Sequence, residues 1–190
     1  MSNETRPPVE SIWGKAEFEA IFIAHHDGIF RHLYRIIGSV AEAEDLTQET
    51  FWRLYCQRFA VSRTHNIRAW LYRVATNLAY NVLRNQKRRQ HREATAFYRL
   101  PSGVQEQDPV ESVQRRCQQE VVREVLAGLP ARQAQLLLLR HAGLSYRELA
   151  EALDISPASV GTMLARAEVA FKTAYRAAGH WAEGGEDNGM

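Results

Sequence analysis

Residues 145–176 read SYRELAEALDISPASVGTMLARAEVAFKTAYR, and the punctuation of this stretch decides the fold class. Ser145 with Glu148 three positions later is a capping box that opens a helix, and Tyr146, Leu149, Ala150 and Leu153 then recur at helical spacing. Asp154 and Ile155 make the turn. Ser156-Pro157 supplies an N-cap followed by the proline favoured at a first helical position. The second helix, from Pro157 to about Arg176, carries Val160, Leu164, Ala167, Phe171 and Ala174 as its buried stripe. Two helices joined by about three residues have the spacing of a helix-turn-helix, with a plain helical hairpin as the alternative. In that geometry Ala150 is small because the second helix crosses close by, and Ile155 and Val160 lie between the helices. Ala158, Ser159, Thr162, Ala165 and Arg166 then face outward toward a DNA major groove. Arg166 is the single cation on this face before Lys172 and Arg176, so the domain is expected to bind DNA weakly by itself.

The rest of the chain also reads as helix, and no strand pattern appears. Phe18, Phe22, His25, Ile29, Leu33 and Ile36 form one amphipathic stripe, interrupted by an unexplained Gly28 and ended by Gly38. Ser39 and Glu42 form another capping box before Ala43, Leu46, Thr50 and Leu54. Periodicity is lost over FAVSRTHN, residues 59–66, and returns in Ile67, Trp70, Leu71, Val74, Leu78 and Val82, which lead into Lys87, Arg88 and Arg89. Residues 100–111 hold Pro101, Gly103, Pro109 and three acids without apolar period, which reads as a linker. Helix resumes at Val113, is punctuated by Pro130, and runs again from Gln135 to His141 before Gly143. The expectation is an all-α chain of two small helical domains joined by a flexible linker. Residues 16–99 form the first and 112–176 the second, which contains the helix-turn-helix, with tails at 1–15 and 177–190.

Composition narrows the function. The 190 residues are 45% apolar and 24% charged, as in globular proteins, and no apolar run approaches the roughly 18 residues of a membrane span. The first residues, MSNETRPPVESIWGK, lack the basic start and apolar stretch of a secretory signal, so a cytoplasmic location without membrane insertion is expected. Cys56 and Cys117 stand 61 positions apart with no CxxC, against both a disulfide framework and structural zinc. The net charge of +2 hides a strong asymmetry. Residues 1–60 sum to −3 and 101–190 to −3, whereas 61–100 hold nine basic residues against one acid. Such a localised block is the footprint of phosphate contact.

Two faces stand out. On the helix after Val40, Asp45, Gln48, Glu49 and Trp52 share one outward side, and acids around an aromatic anchor suit a basic protein partner better than DNA. On the helix after Ile67, Arg73, Asn77, Tyr80, Asn81 and Arg84 lie opposite Trp70, Val74 and Leu78. Interleaved amides, aromatic and guanidiniums fit base-edge bonding, stacking and phosphate contact, and the polar loop from Phe59 could hold an unstacked base. Glu42, Glu44, Asp45 and Glu49 diverge around their helix and find no second acidic element, and His25-His26 lacks a further ligand at zinc spacing. No catalytic group, metal or cofactor is expected.

The order of parts from about Phe18 to Tyr175 resembles the extracytoplasmic-function sigma factors of bacterial RNA polymerase. The matching segments are AEAEDLTQETFWRLY (41–55), AWLYRVATNLAYNVLRNQKRR (69–89) and LAGLPARQAQLLLLRHAGLSYRELAEALDIS (126–156). The resemblance implies that Asp45, Gln48, Glu49 and Trp52 dock on core RNA polymerase. It assigns recognition and melting of the promoter −10 element to Phe59, Ser62, Arg63 and Asn66 in the loop. On the helix it adds Arg73, Asn77, Tyr80, Asn81, Arg84, Lys87, Arg88 and Arg89. It gives the −35 element to Ser145, Tyr146, Pro157, Ala158, Ser159, Thr162, Ala165 and Arg166, and it implies an anti-sigma factor as a further partner. A subunit that borrows affinity from a large enzyme needs little charge on its recognition face. The chain departs from the family in having Asp154 where the turn usually has Gly, and ASVGTMLARAE where the recognition helix usually has a basic or polar run. The rival readings are an autonomous helix-turn-helix regulator and a helical adaptor or anti-sigma-like protein. The basic block argues against the second.

Overall fold

The computed structural model describes residues 13–56, 66–93 and 109–178. Among them are seven helices and no strand: α1 (Lys15–Ile37), α2 (Val40–Tyr55), α3 (Ile67–Glu93), α4 (Pro109–Gly128), α5 (Ala131–His141), α6 (Tyr146–Leu153) and α7 (Pro157–Ala177). Phe59, Ser62 and Arg63 lie outside the described residues, as do most of the expected linker and the tails. The linker reading ran slightly long, because α4 already begins at Pro109, where proline's missing N–H costs a helix nothing.

Contacts divide the chain into two compact units. The first combines residues 1–79 with 138–160. In it α1 and α2 form a tight pair, reversed at Gly38, whose φ of 80° is the left-handed conformation that glycine adopts without a Cβ penalty. The Ser39 hydroxyl accepts the Glu42 N–H at 3.4 Å, which realises the N-cap half of the expected box. Ile29, Leu33, Ile36, Ala43, Phe51 and Leu54 are buried in this pair, together with Leu71 and Ala75 of α3. Gly28, anomalous in the sequence, now has a reason: a Cβ there would stand 2.9 Å from the Tyr72 hydroxyl. A side chain at this point would displace an aromatic ring that is itself buried. The expected N-terminal tail also ended too late, because Trp13 is 8% exposed and its indole Nε1 donates to the Leu54 carbonyl at 3.2 Å. That bond serves a carbonyl in the last turn of α2, where intrahelical donors run out.

The second unit comprises residues 80–137 and 161–190. Its core takes Leu83 from α3, Val121, Val125 and Leu126 from α4, Leu136 from α5, and Leu164 and Ala167 from α7. Tyr80 donates its hydroxyl to the Leu129 carbonyl at 2.8 Å. Lys87 Nζ donates to the Glu124 carbonyl at 3.2 Å.

The buried stripe of α3 differs from the expected one. Leu71, Tyr72, Ala75, Thr76, Ala79, Tyr80 and Leu83 are buried, whereas Trp70, Val74 and Leu78 are half-buried. The true stripe is rotated by about one residue and mixes alanine, threonine and tyrosine. A reading that follows only large aliphatic residues misses it.

Candidate functional site

The acidic face forms as the sequence indicated. Asp45, Gln48 and Trp52 are exposed on α2 and Glu49 is half-buried. Glu49 pairs with Arg53 one turn on, at 2.7 Å. These residues edge an open cleft of about 580 Å³ between α1 and α2. Its other wall, missed in the sequence because Phe18 and Phe22 were read as core, comes from α1. Phe22 is 36% and Trp52 55% exposed. The rings are mutually supported: Phe22 lies 4.8 Å from Phe51, Phe18 meets Tyr55 edge-on at 5.3 Å, and Trp52 stacks on Tyr55 at 5.9 Å and 21°.

The basic face of α3 is only partly as expected. Asn81, Arg84, Arg88 and Arg89 are exposed and recur at offsets of three, seven and eight, which puts them on one side of the helix. Arg73 and Asn77 are half-buried. Tyr80 does not belong to this face. It is 5% exposed and its hydroxyl is spent on Leu129, so it has no ring to offer a base. Lys87 is half-buried with its ammonium on Glu124. Asn66 serves as the N-cap of α3, its Oδ1 accepting the Ala69 N–H at 3.2 Å.

Asn66 Nδ2 also reaches Glu148 Oε1 at 3.5 Å, and Arg68 forms an ion pair with the same oxygen. Glu148 is therefore doubly employed. Its other oxygen accepts the Ser145 N–H and hydroxyl, both at 2.8 Å, while the Ser145 hydroxyl accepts the Glu148 N–H at 3.3 Å. Burial works against this carboxylate's charge, but the bonds from Ser145 and Arg68 outweigh it and draw its pKa down to about 2. The expected capping box is complete, and Ser145 is occupied by it. Arg68, which the sequence reading passed over, also lies 5.2 Å from the Tyr72 ring centroid.

Beyond this box, Asp154 closes α6 in the left-handed conformation at φ 51° and ψ 58°, and α7 starts at Pro157. Pro157, Ala158, Ser159, Thr162, Ala165 and Arg166 are all exposed, and Val160, Leu164 and Ala167 are buried. Ile155 is half-buried rather than enclosed. Tyr146 is exposed with the Arg140 guanidinium 5.8 Å from its ring. The same Arg140 donates to the Leu144 carbonyl at 3.2 Å, which fixes the approach to α6.

Two family models match the chain: Sigma-70 region 2 over residues 21–89 and Sigma-70, region 4 over residues 119–170. RNA polymerase sigma factor YlaC of Bacillus subtilis is 31% identical, the match covering 81% of this chain and 89% of that protein. ECF RNA polymerase sigma factor SigW of the same organism is 28% identical over 84% of this chain and 89% of its own length. Among solved structures, the fold is similar to sigma factor RpoE in its co-crystal with the anti-sigma factor NepR from Bartonella quintana. That match has a TM-score of 0.53 and 18% identity, and covers 84% of this chain and 96% of the other.

Proposed function

The chain belongs to the extracytoplasmic-function sigma factors, and from that premise we propose how its faces divide the work of promoter selection. It is an alternative sigma factor that directs transcription initiation. Asp45, Gln48, Glu49 and Trp52 on α2 meet the basic surface of core polymerase. Asn77, Asn81, Arg84, Arg88 and Arg89 on α3 engage the −10 element, with the 59–66 loop taking an unstacked base. Ser159, Thr162 and Arg166 on α7 approach base edges at −35. The protein acts in the cytoplasm, performs no covalent chemistry itself, and takes an anti-sigma factor as a further partner, as RpoE does in its complex with NepR.

The observation that carries this reading is the separation of the two chemistries. An acidic, aromatic face lies on α2 and a row of exposed guanidiniums with the Asn81 amide on α3, both inside the segment matched to region 2. DNA repels the first and attracts the second, so each face has a different partner. The test is transcription in vitro from a promoter library, with core polymerase supplied with or without the full chain. Transcripts from a defined promoter subset, and weak duplex binding by the chain alone, are expected. Sub-micromolar sequence-specific binding by the free chain at physiological salt would instead identify an autonomous regulator.

A further inference from the structure

The cleft between α1 and α2 is more than a flank of the acidic face. We infer that it receives an arginine side chain of the polymerase core, and that α1 supplies half of the grip through Phe18 and Phe22. This rests on the reading of α2 as the core-docking helix and adds the group that is recognised and a second helix that recognises it.

Three features select a guanidinium. Asp45 and Glu49 stand one helical turn apart at the cleft, and among the described residues no lysine or arginine lines it, so its charge complement is a cation. Next to these acids the cleft presents ring faces instead of aliphatic side chains. The Trp52 and Tyr55 rings lie within 21° of parallel, and Phe22 is braced by Phe51 at 4.8 Å and by His26 at 4.7 Å. A planar, weakly hydrated guanidinium can lie on such faces while its edge donates two parallel bonds to a carboxylate; a compact, strongly hydrated ammonium does this less well. Finally, the Arg53 guanidinium already bonds Glu49 at 2.7 Å, which leaves Asp45 as the carboxylate nearest the incoming group. An apolar occupant would leave both acids facing a desolvated surface, at a cost that argues against it. Exposed aromatic side chains gathered beside charges mark a protein contact.

The test measures competition of the full chain for native core polymerase. Phe22→Leu keeps apolar volume but removes the ring face, and is expected to weaken core binding about fivefold or more, while Phe22→Tyr keeps the wild-type affinity. Combined with Asp45→Ala, the loss should fall short of the product of the two single losses, because both groups hold one side chain. Normal core affinity of Phe22→Leu, alongside weakened binding by Asp45→Ala/Glu49→Ala, would restrict docking to α2 and overturn the inference alone. Independent, multiplicative losses would overturn the shared guanidinium. Normal affinity in both variants would remove the α2 reading as well. Thermal unfolding checks the fold of each variant, and Trp52→Leu, at a position more than half exposed, carries the same comparison if Phe22→Leu does not fold.

Discussion

His32 is buried on the inner side of α1, with its Nε2 2.9 Å from the Thr76 hydroxyl and its ring 5.2 Å from Tyr72. Burial, then the neighbouring His141 and Arg35, lower its pKa from 6.5 to about 4. The folded chain therefore holds this imidazole neutral, while the unfolded chain protonates it below pH 6.5. Its contribution is fully present above pH 6.5 and is lost as pH falls toward 4, amounting to about 3 kcal/mol at most. Burial followed by Arg68 lowers the pKa of His25 in the same direction. Glu148 acts lower on the scale: its stabilisation persists above about pH 4.5 and fades toward pH 2. Urea unfolding of the wild type should thus weaken steadily from pH 6.5 to 4.5, and His32→Gln, which retains a partner for Thr76 but does not titrate there, should weaken less. Equal slopes in the two proteins would show that His32 is not the group responsible. Nothing in the sequence hints at this role, since a histidine amid aliphatic spacing differs in no visible way from one on the surface. Thr76, 44 positions away, supplies the environment.

At the scale of elements, the α6–turn–α7 unit was legible because its signals are local. The capping box, the turn at Asp154 and the N1 proline each act within four residues of themselves, and all three occur where expected. Each also has its own energetic consequence. Ser145→Ala removes an N-cap and should lower stability by about 1 kcal/mol. Asp154→Gly relieves a side chain held at φ 51° and should raise it by less than about 1 kcal/mol, because glycine also frees the unfolded chain. Asp154→Val should destabilise. The urea midpoint at constant slope reads all three, and a stabilising Asp154→Val would contradict the role given to this turn. The face of α3 was less legible for the converse reason. Whether Tyr80 points to a base or to Leu129 depends on an element 49 residues away, and periodicity around Ala75, Thr76 and Ala79 gives small residues no weight. The acidic face of α2 was readable, but its aromatic wall was not: Phe18 and Phe22 have the spacing of core residues, and only the cleft against α2 reveals their partial exposure.

Across the whole molecule, the decisive quantity is where charge is placed, not how much there is. A net charge of +2 implies little long-range attraction to DNA, yet the 61–100 block concentrates nine cations in forty residues. The structure distinguishes members of that block which the sequence treats alike. Arg88 and Arg89 are exposed, whereas Lys87 is half-buried with its ammonium on the Glu124 carbonyl. A cation bonded to its own backbone must give up that bond before it can neutralise a phosphate. Each phosphate neutralised on duplex DNA contributes about 0.9 to the slope of log affinity against log salt. Arg88→Ala with Arg89→Ala should therefore flatten the salt dependence of nonspecific duplex binding by nearly two, and Lys87→Ala by clearly less than one. Arg166 on α7 adds a different case: as a phosphate contact its removal flattens the slope by about one for every sequence, whereas as a guanine contact it relaxes preference at a single −35 position. The absence of other cations in the first turns of α7 favours the phosphate role. Binding measured across a salt series, together with transcription from templates randomised at −35, separates these cases. A full unit of slope lost in Lys87→Ala would show that the Glu124 contact does not withhold this cation from DNA.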